Sequence, residues 1–163
     1  MARPTSEALP PGFVGLAASH RLRSDPEKAL AVVASGAVPW SEGMVEMPAV
    51  DGVRRYVVDL RLRLGAEDVA VTTFRKAAYL DLGAPRRTGT GWELDIAWRA
   101  AGAAPLFPVF AGRLAIDGDA LKIEGIYAPP GGVVGRVADR VLLHVAANAT
   151  ARWVLDEIDR AAA

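Results

Sequence analysis

The chain has 163 residues, 52% of them hydrophobic, with 19 basic and 19 acidic side chains and no cysteine. A single domain of this length buries roughly two thirds of the surface its unfolded chain exposes, so there is ample material for a core. The balanced charge supplies no global field for nucleic acid or an anionic membrane, and the missing cysteines exclude disulfides, thiolate metal sites and cysteine nucleophiles.

Residues 1–11, with Pro4, Pro10 and Pro11, read as a flexible leader, and 12–163 as a single domain. The domain opens on "GFVGLAASHRLRS", an extended segment that places Val14, Leu16, Ala18, His20 and Leu22 on one face. "SDPEKALAVVAS" follows as a short helix of two to three turns. Ser24 or Asp25 can cap it, Pro26 suits its first position, Glu27 favours its positive end, and Gly36 stops it. Residues 37–52, interrupted by Pro39, Gly43, Pro48 and Gly52, read as a loop or a second, broken helix.

From Val53 the apolar period becomes two. "RRYVVDLRLRLG" puts Tyr56, Val58, Leu60, Leu62 and Leu64 on one face, with Arg55, Asp59, Arg61 and Arg63 on the other. "GAEDVAVTTFRKAAYLDLGAP" is a second strand, and "RRTGTG" makes the turn into a third, "GWELDIAWRA". That third strand turns Trp92, Leu94, Ile96 and Trp98 inward and Glu93, Asp95 and Arg99 outward. "LFPVFAGRLAID" and "ALKIEGIYA" are joined by a short turn at Asp117-Gly118-Asp119. Pro108 in the first of these two marks an edge or a bulge. With no helix-length spacer between Val53 and Ala128, these strands pair antiparallel as a meander.

Residues 133–160 form a long helix of about 40 Å at 1.5 Å per residue. Val134, Val137, Ala138, Val141, Leu142, Val145, Ala149 and Leu155 fall on one stripe. A striped helix following a one-sided antiparallel sheet must lie across the inner face of that sheet, since neither can bury its apolar side elsewhere.

The glycines before this helix, Gly131, Gly132 and Gly135, match neither a Walker loop nor a dinucleotide fingerprint, and the strand before them belongs to a meander. They read as a hinge that follows Pro129 and Pro130. The longest uncharged runs, 29–41 and 100–112, have 13 residues each and contain proline, too short to cross a bilayer, and the first residues lack the apolar core of a signal peptide. His20 and His144 are too few for a metal site, so no metal and no cofactor is expected. The expected location is cytoplasmic, and the expected state a monomer or homodimer.

The stretch 125–144, G-x-Y-x-P-P-G-G-x-x-G-R-x-A-D-R-x-x-L-H, resembles the end of many SRPBCC-superfamily proteins, the START, polyketide-cyclase and birch-pollen-allergen-like group. "RLRSDPEKAL", "LFPVFAGRLAI" and the "A..T...VLDEID" tail sit where such proteins have comparable segments. The resemblance implies a helix-grip fold of the α+β class. In it a curved antiparallel sheet of about six or seven strands wraps a long C-terminal helix, a short helix follows the first strand, and a deep cavity lies between sheet and helix.

Within that frame Tyr56, Trp92, Trp98, Phe110 and Tyr127 on the inner strand faces are ligand-binding candidates, with Val141, His144, Val145 and Asn148 on the last helix. His144, Asn148 and Arg152 follow at i, i+4 and i+8 and could orient a ligand from an otherwise apolar wall. Aromatics on inner faces also serve as plain core, and His20 suits a hydrogen-bonded structural role. Asp156, Glu157 and Asp159 read as solvated charges at the helix end. No serine lies in a nucleophile elbow and no acid–base pair is evident. The expectation is a non-catalytic protein binding a hydrophobic or amphipathic small molecule. The alternatives are a cyclase or dehydratase using a cavity His or Tyr, and an interaction module whose cavity is filled by its own side chains.

Overall fold

A computed structural model describes residues 12–34, 44–64, 72–102, 109–128 and 137–163, with backbone only at 49–50, 60–64, 72–76 and 137–143. The strands are β1 (Val14–Arg21), β2 (Val45–Val50), β3 (Val53–Leu64), β4 (Thr72–Leu82), β5 (Arg86–Arg87), β6 (Gly91–Ala100), β7 (Val109–Asp117) and β8 (Ala120–Ala128). The helices are α1 (Pro26–Ala34), between β1 and β2, and α2 (Val137–Ala162), after β8. The strands form one 8-stranded sheet in the order β1-β8-β7-β6-β4-β3-β2, with β5 paired to β6. All the pairings are antiparallel. Helix α2 packs on the inner face against β1, β3, β8 and α1. This is the helix-grip arrangement.

The sheet has more strands than the sequence suggested because the segment read as a loop or broken helix contains β2. A two-residue Asp51-Gly52 turn folds β2 onto β3, with Val50 opposite Val53. Both turn residues have positive φ, 53° and 76°. That twist matches the right-handed twist of the flanking strands, and aspartate and glycine are the residues that tolerate it. The other edge is β1, whose register along β8 runs from Val14 opposite Tyr127 to Arg21 opposite Ala120.

The alternation in β6 buries Leu94, Ile96 and Trp98 and leaves Asp95 and Arg99 exposed. On its wet side Arg86 reaches both Asp95 and Glu93. The β7–β8 hairpin turns at Gly118-Asp119 as expected. β7 lies between β6 and β8, so the fourth meander strand is no edge, and Pro108 falls outside the described residues. So do the glycines and prolines of the hinge.

Helix α1 begins where the sequence places it. Asp25 Oδ1 accepts from the Glu27 amide at 2.7 Å, the side-chain cap that a helix start needs. At its other end Arg54 of β3 donates to the Val33 carbonyl, supplying a cation and a donor where the helix has orphan carbonyls.

Along α2 the buried side is made by Ala147, Ala151, Val154, Leu155, Ile158 and Ala162. Val145, assigned to the stripe from sequence, is 40% exposed, and Ala149 is half-buried. The buried side is rotated from the expected stripe: it combines the small Ala147 and Ala151 with Val154, Leu155 and Ile158, and of the expected stripe residues whose side chains are described only Leu155 lies on it.

Candidate functional site

Register turns the separate inner-face aromatics into one line. Tyr56 of β3 stands opposite Leu80 of β4, and Leu80 opposite Trp98 of β6. Trp98 stands opposite Phe110 of β7, Phe110 opposite Tyr127 of β8, and Tyr127 opposite Val14 of β1. The row thus crosses the sheet at right angles to the strands. Its members from Tyr56 to Tyr127 are all 2% exposed or less. Trp98 and Phe110 stack with centroids 3.9 Å apart and planes 20° from parallel, which adds to their area burial.

The adjacent row holds Leu82, Ile96, Gly112, Gly125 and Leu16. A Cβ on Gly112 would stand 2.2 Å from the Glu124 carbonyl oxygen and 2.6 Å from Phe110 Cζ; one on Gly125 would meet the same ring atom at 2.8 Å. The glycine pair therefore lets β7 and β8 approach and bend tightly, and the tip of the Phe110 ring covers the notch they leave.

Three polar groups interrupt this apolar wall. At the β8 end the Tyr127 hydroxyl lies 3.2 Å from Nδ1 of His144 on α2. With the ring proton on Nε2, the tyrosine donates. Burial pushes the Tyr127 hydroxyl above its ordinary pKa, so it keeps its proton. His144 itself is exposed, so the pair joins a closed interior to solvent. At the β3 end Tyr56 accepts from Arg54 Nη1 at 3.5 Å. In the middle, Trp98 Nε1 is buried and has no hydrogen-bond partner. A buried donor left alone costs about 1–3 kcal/mol.

The remaining candidates lie elsewhere. Trp92 is six residues along β6 from Trp98, roughly 20 Å at strand rise. It is half-buried, lies under the Arg87 guanidinium, and lines a groove of about 230 Å³ beside the start of α1 with Thr88, Thr90 and Glu27. Asn148 is half-buried, and its Nδ2 donates to the His144 carbonyl at 2.9 Å, along its own helix. Arg152 is exposed. The side chain of Val141 falls outside those described. A larger groove, about 470 Å³, lies on the outer face of the sheet, walled by Arg113, Lys122, Glu124 and Glu93 over Ala111 and Ala115. Sequence reading gave no sign of it, since outward positions were taken only as a wet surface.

The acids at the end of α2 are the clearest revision. Asp159 is 1% exposed rather than solvated. Its Oδ1 accepts from the Arg23 amide, the Ser24 amide and Ser24 Oγ, and its Oδ2 from Arg23 Nε, with His20 Nε2 at 2.9 Å. His20 Nδ1 lies 2.9 Å from Asp156 Oδ1 on the next turn. Ser24 contacts the aspartate and not the histidine, so this is not a nucleophile triad. It fastens the β1–α1 connection to α2, which fits the structural role expected of His20. Glu157 is likewise mostly buried and pairs with Arg160. Among the described residues no cluster of three or more acids and histidines could hold a metal, and no helix is long and apolar enough to cross a membrane.

No protein-family model matches the chain, and no curated protein matches it. Among solved structures it is similar to the di-domain ARO/CYC StfQ from the steffimycin biosynthetic pathway, with a TM-score of 0.51 at 13% identity over 92% of this chain and 50% of that one. It is also similar to the di-domain ARO/CYC BexL from the BE-7585A biosynthetic pathway, with a TM-score of 0.49 at 15% identity over 94% and 51%. The chain spans about half the length of each. At such identity the likeness to StfQ shows a shared fold.

Proposed function

We propose that the protein is an SRPBCC-like binder of a hydrophobic or amphipathic small molecule, held between the inner sheet face and α2. The observation that carries this reading is the transverse aromatic row, built of buried rings and Leu80, with a few placed polar groups, of which the Tyr127–His144 pair reaches solvent. Apolar burial of about 25 cal/mol per Å² would supply affinity, and the polar pair would fix orientation. The test is extraction of the purified protein into organic solvent followed by mass spectrometry, with titration by an amphipathic naphthalene dye. A co-purified apolar compound or saturable dye binding supports the reading. An empty extract and no saturable binding overturn it.

A second reading rests on the same pair. A buried tyrosine hydroxyl bonded to a solvent-facing histidine has the parts for proton exchange with a bound carbonyl compound, as a cyclase or dehydratase needs. The likeness in fold to the ARO/CYC protein StfQ leans the same way. Turnover of a polyketide surrogate, lost in His144→Ala, would favour this reading over simple binding.

A further inference from the structure

We infer that Trp98 selects the ligand by donating its indole N–H to a neutral carbonyl oxygen. This rests on the binding reading above and adds to it the chemical class of the guest. Among the described residues, Trp98 Nε1 is the one buried side-chain nitrogen or oxygen without a hydrogen-bond partner. The two tyrosines of the same row, each two strands from Trp98, are both engaged, Tyr127 with His144 and Tyr56 with Arg54. An indole nitrogen can only donate, so its complement must be an acceptor.

The surroundings narrow that acceptor further. Trp98 stands between Leu80 and Phe110 in register, both fully buried and apolar. A carboxylate or phosphate brought there would lose its hydration with a single donor in return, which is unfavourable. A ketone or quinone oxygen needs only one donor. The Trp98 indole face is covered by the Phe110 ring stacked on it, both rings 1% exposed, so the body that takes the place of Phe110 against the indole is itself flat and apolar. Because the indole edge is closed to solvent, the guest reaches it by parting the row. Phe110 is the side chain placed to yield, since it lies flat on Trp98 with its tip over Gly112 and Gly125.

The probes are fluorene and fluorenone, flat molecules that differ by one carbonyl oxygen. Affinities are measured by displacement of the naphthalene dye from the wild type and from Trp98→Phe. The inference expects the fluorenone-to-fluorene preference of the wild type to fall by roughly tenfold in the variant, the size of one buried hydrogen bond, while fluorene affinity changes little. If both compounds bind and the preference is equal in the two proteins, this inference falls and the binding reading stands. If neither compound displaces bound dye from the wild type, this inference falls and the binding reading stands; if the dye itself does not bind saturably and the extract is empty, both fall. A measurement without a variant covers the case in which Trp98→Phe fails to fold. In the proton–nitrogen spectrum, the Trp98 indole resonance, assigned through contacts to Phe110, should move downfield with fluorenone and not with fluorene. An indole proton already bonded to water, and unmoved by fluorenone, overturns the inference.

Discussion

His20 Nε2 and Asp159 Oδ2 stand 2.9 Å apart, joining β1 to the last turns of α2 across 139 positions of sequence. Burial of Asp159 works against its charge, but the donors of His20, Arg23 and Ser24 outweigh it and hold its carboxyl well below the usual carboxylate range. A depressed carboxylate stabilises the fold above its unfolded pKa of about 4, and that contribution drains away as pH falls toward the folded value. Asp159→Asn should therefore cost about 3 kcal/mol in denaturant unfolding at pH 7, since it leaves buried donors facing an amide. The gap between variant and wild type should narrow at pH 3.

Gly112→Ala should be severe. Its Cβ would be forced within 2.2 Å of a backbone oxygen, which no side-chain rotation relieves. A loss of about 3 kcal/mol or failure to fold is expected. Gly89→Ala, with no atom within 4 Å of the added carbon, should stay within about 0.5 kcal/mol of wild type. Thermal unfolding of the pair checks both.

Tyr127 and Tyr56 are both pushed upward by burial, with Arg54 offsetting part of the effect at Tyr56. A raised tyrosine stabilises the fold fully below its unfolded pKa near 10, and that stability is lost as pH climbs through the folded value. The wild type should weaken above about pH 10, and Tyr127→Phe should weaken less steeply. Tyrosinate absorbance followed alongside circular dichroism measures this.

His144→Ala should cost about 1 kcal/mol of stability although the imidazole is exposed, because it leaves the buried Tyr127 hydroxyl without its partner. It should weaken binding of the naphthalene dye roughly fivefold, the order expected for removing one orienting hydrogen bond. Dye titration at equal protein concentration reads it directly.

Much of the architecture was legible because period-two patterning is local. The spacing of Trp92, Leu94, Ile96 and Trp98 declares its own inner face, and Asp25-Pro26-Glu27 declares a helix start. The alignment of Tyr56, Trp98, Phe110 and Tyr127 was not legible, because it depends on the turn lengths between four strands. Asp51-Gly52 between Val50 and Val53 is a hairpin signal for β2, but Pro39, Gly43 and Pro48 just before it break the period-two pattern that would declare the strand. Asp159 could not have been found at all. Its donors lie near the other end of the chain, and a carboxylate at a helix end looks the same in sequence whether wet or buried.

The edge position of β1 beside β8 has a consequence for how the protein is made. The strand that leaves the ribosome early has its hydrogen-bonding partner synthesised about a hundred residues later, and α2 follows later still. At 5–20 residues per second the nascent β1 waits on the order of ten seconds with its ladder groups unmatched. Sheet completion is thus a late, non-local closure, and folding should be slow beside that of a helical bundle of equal length.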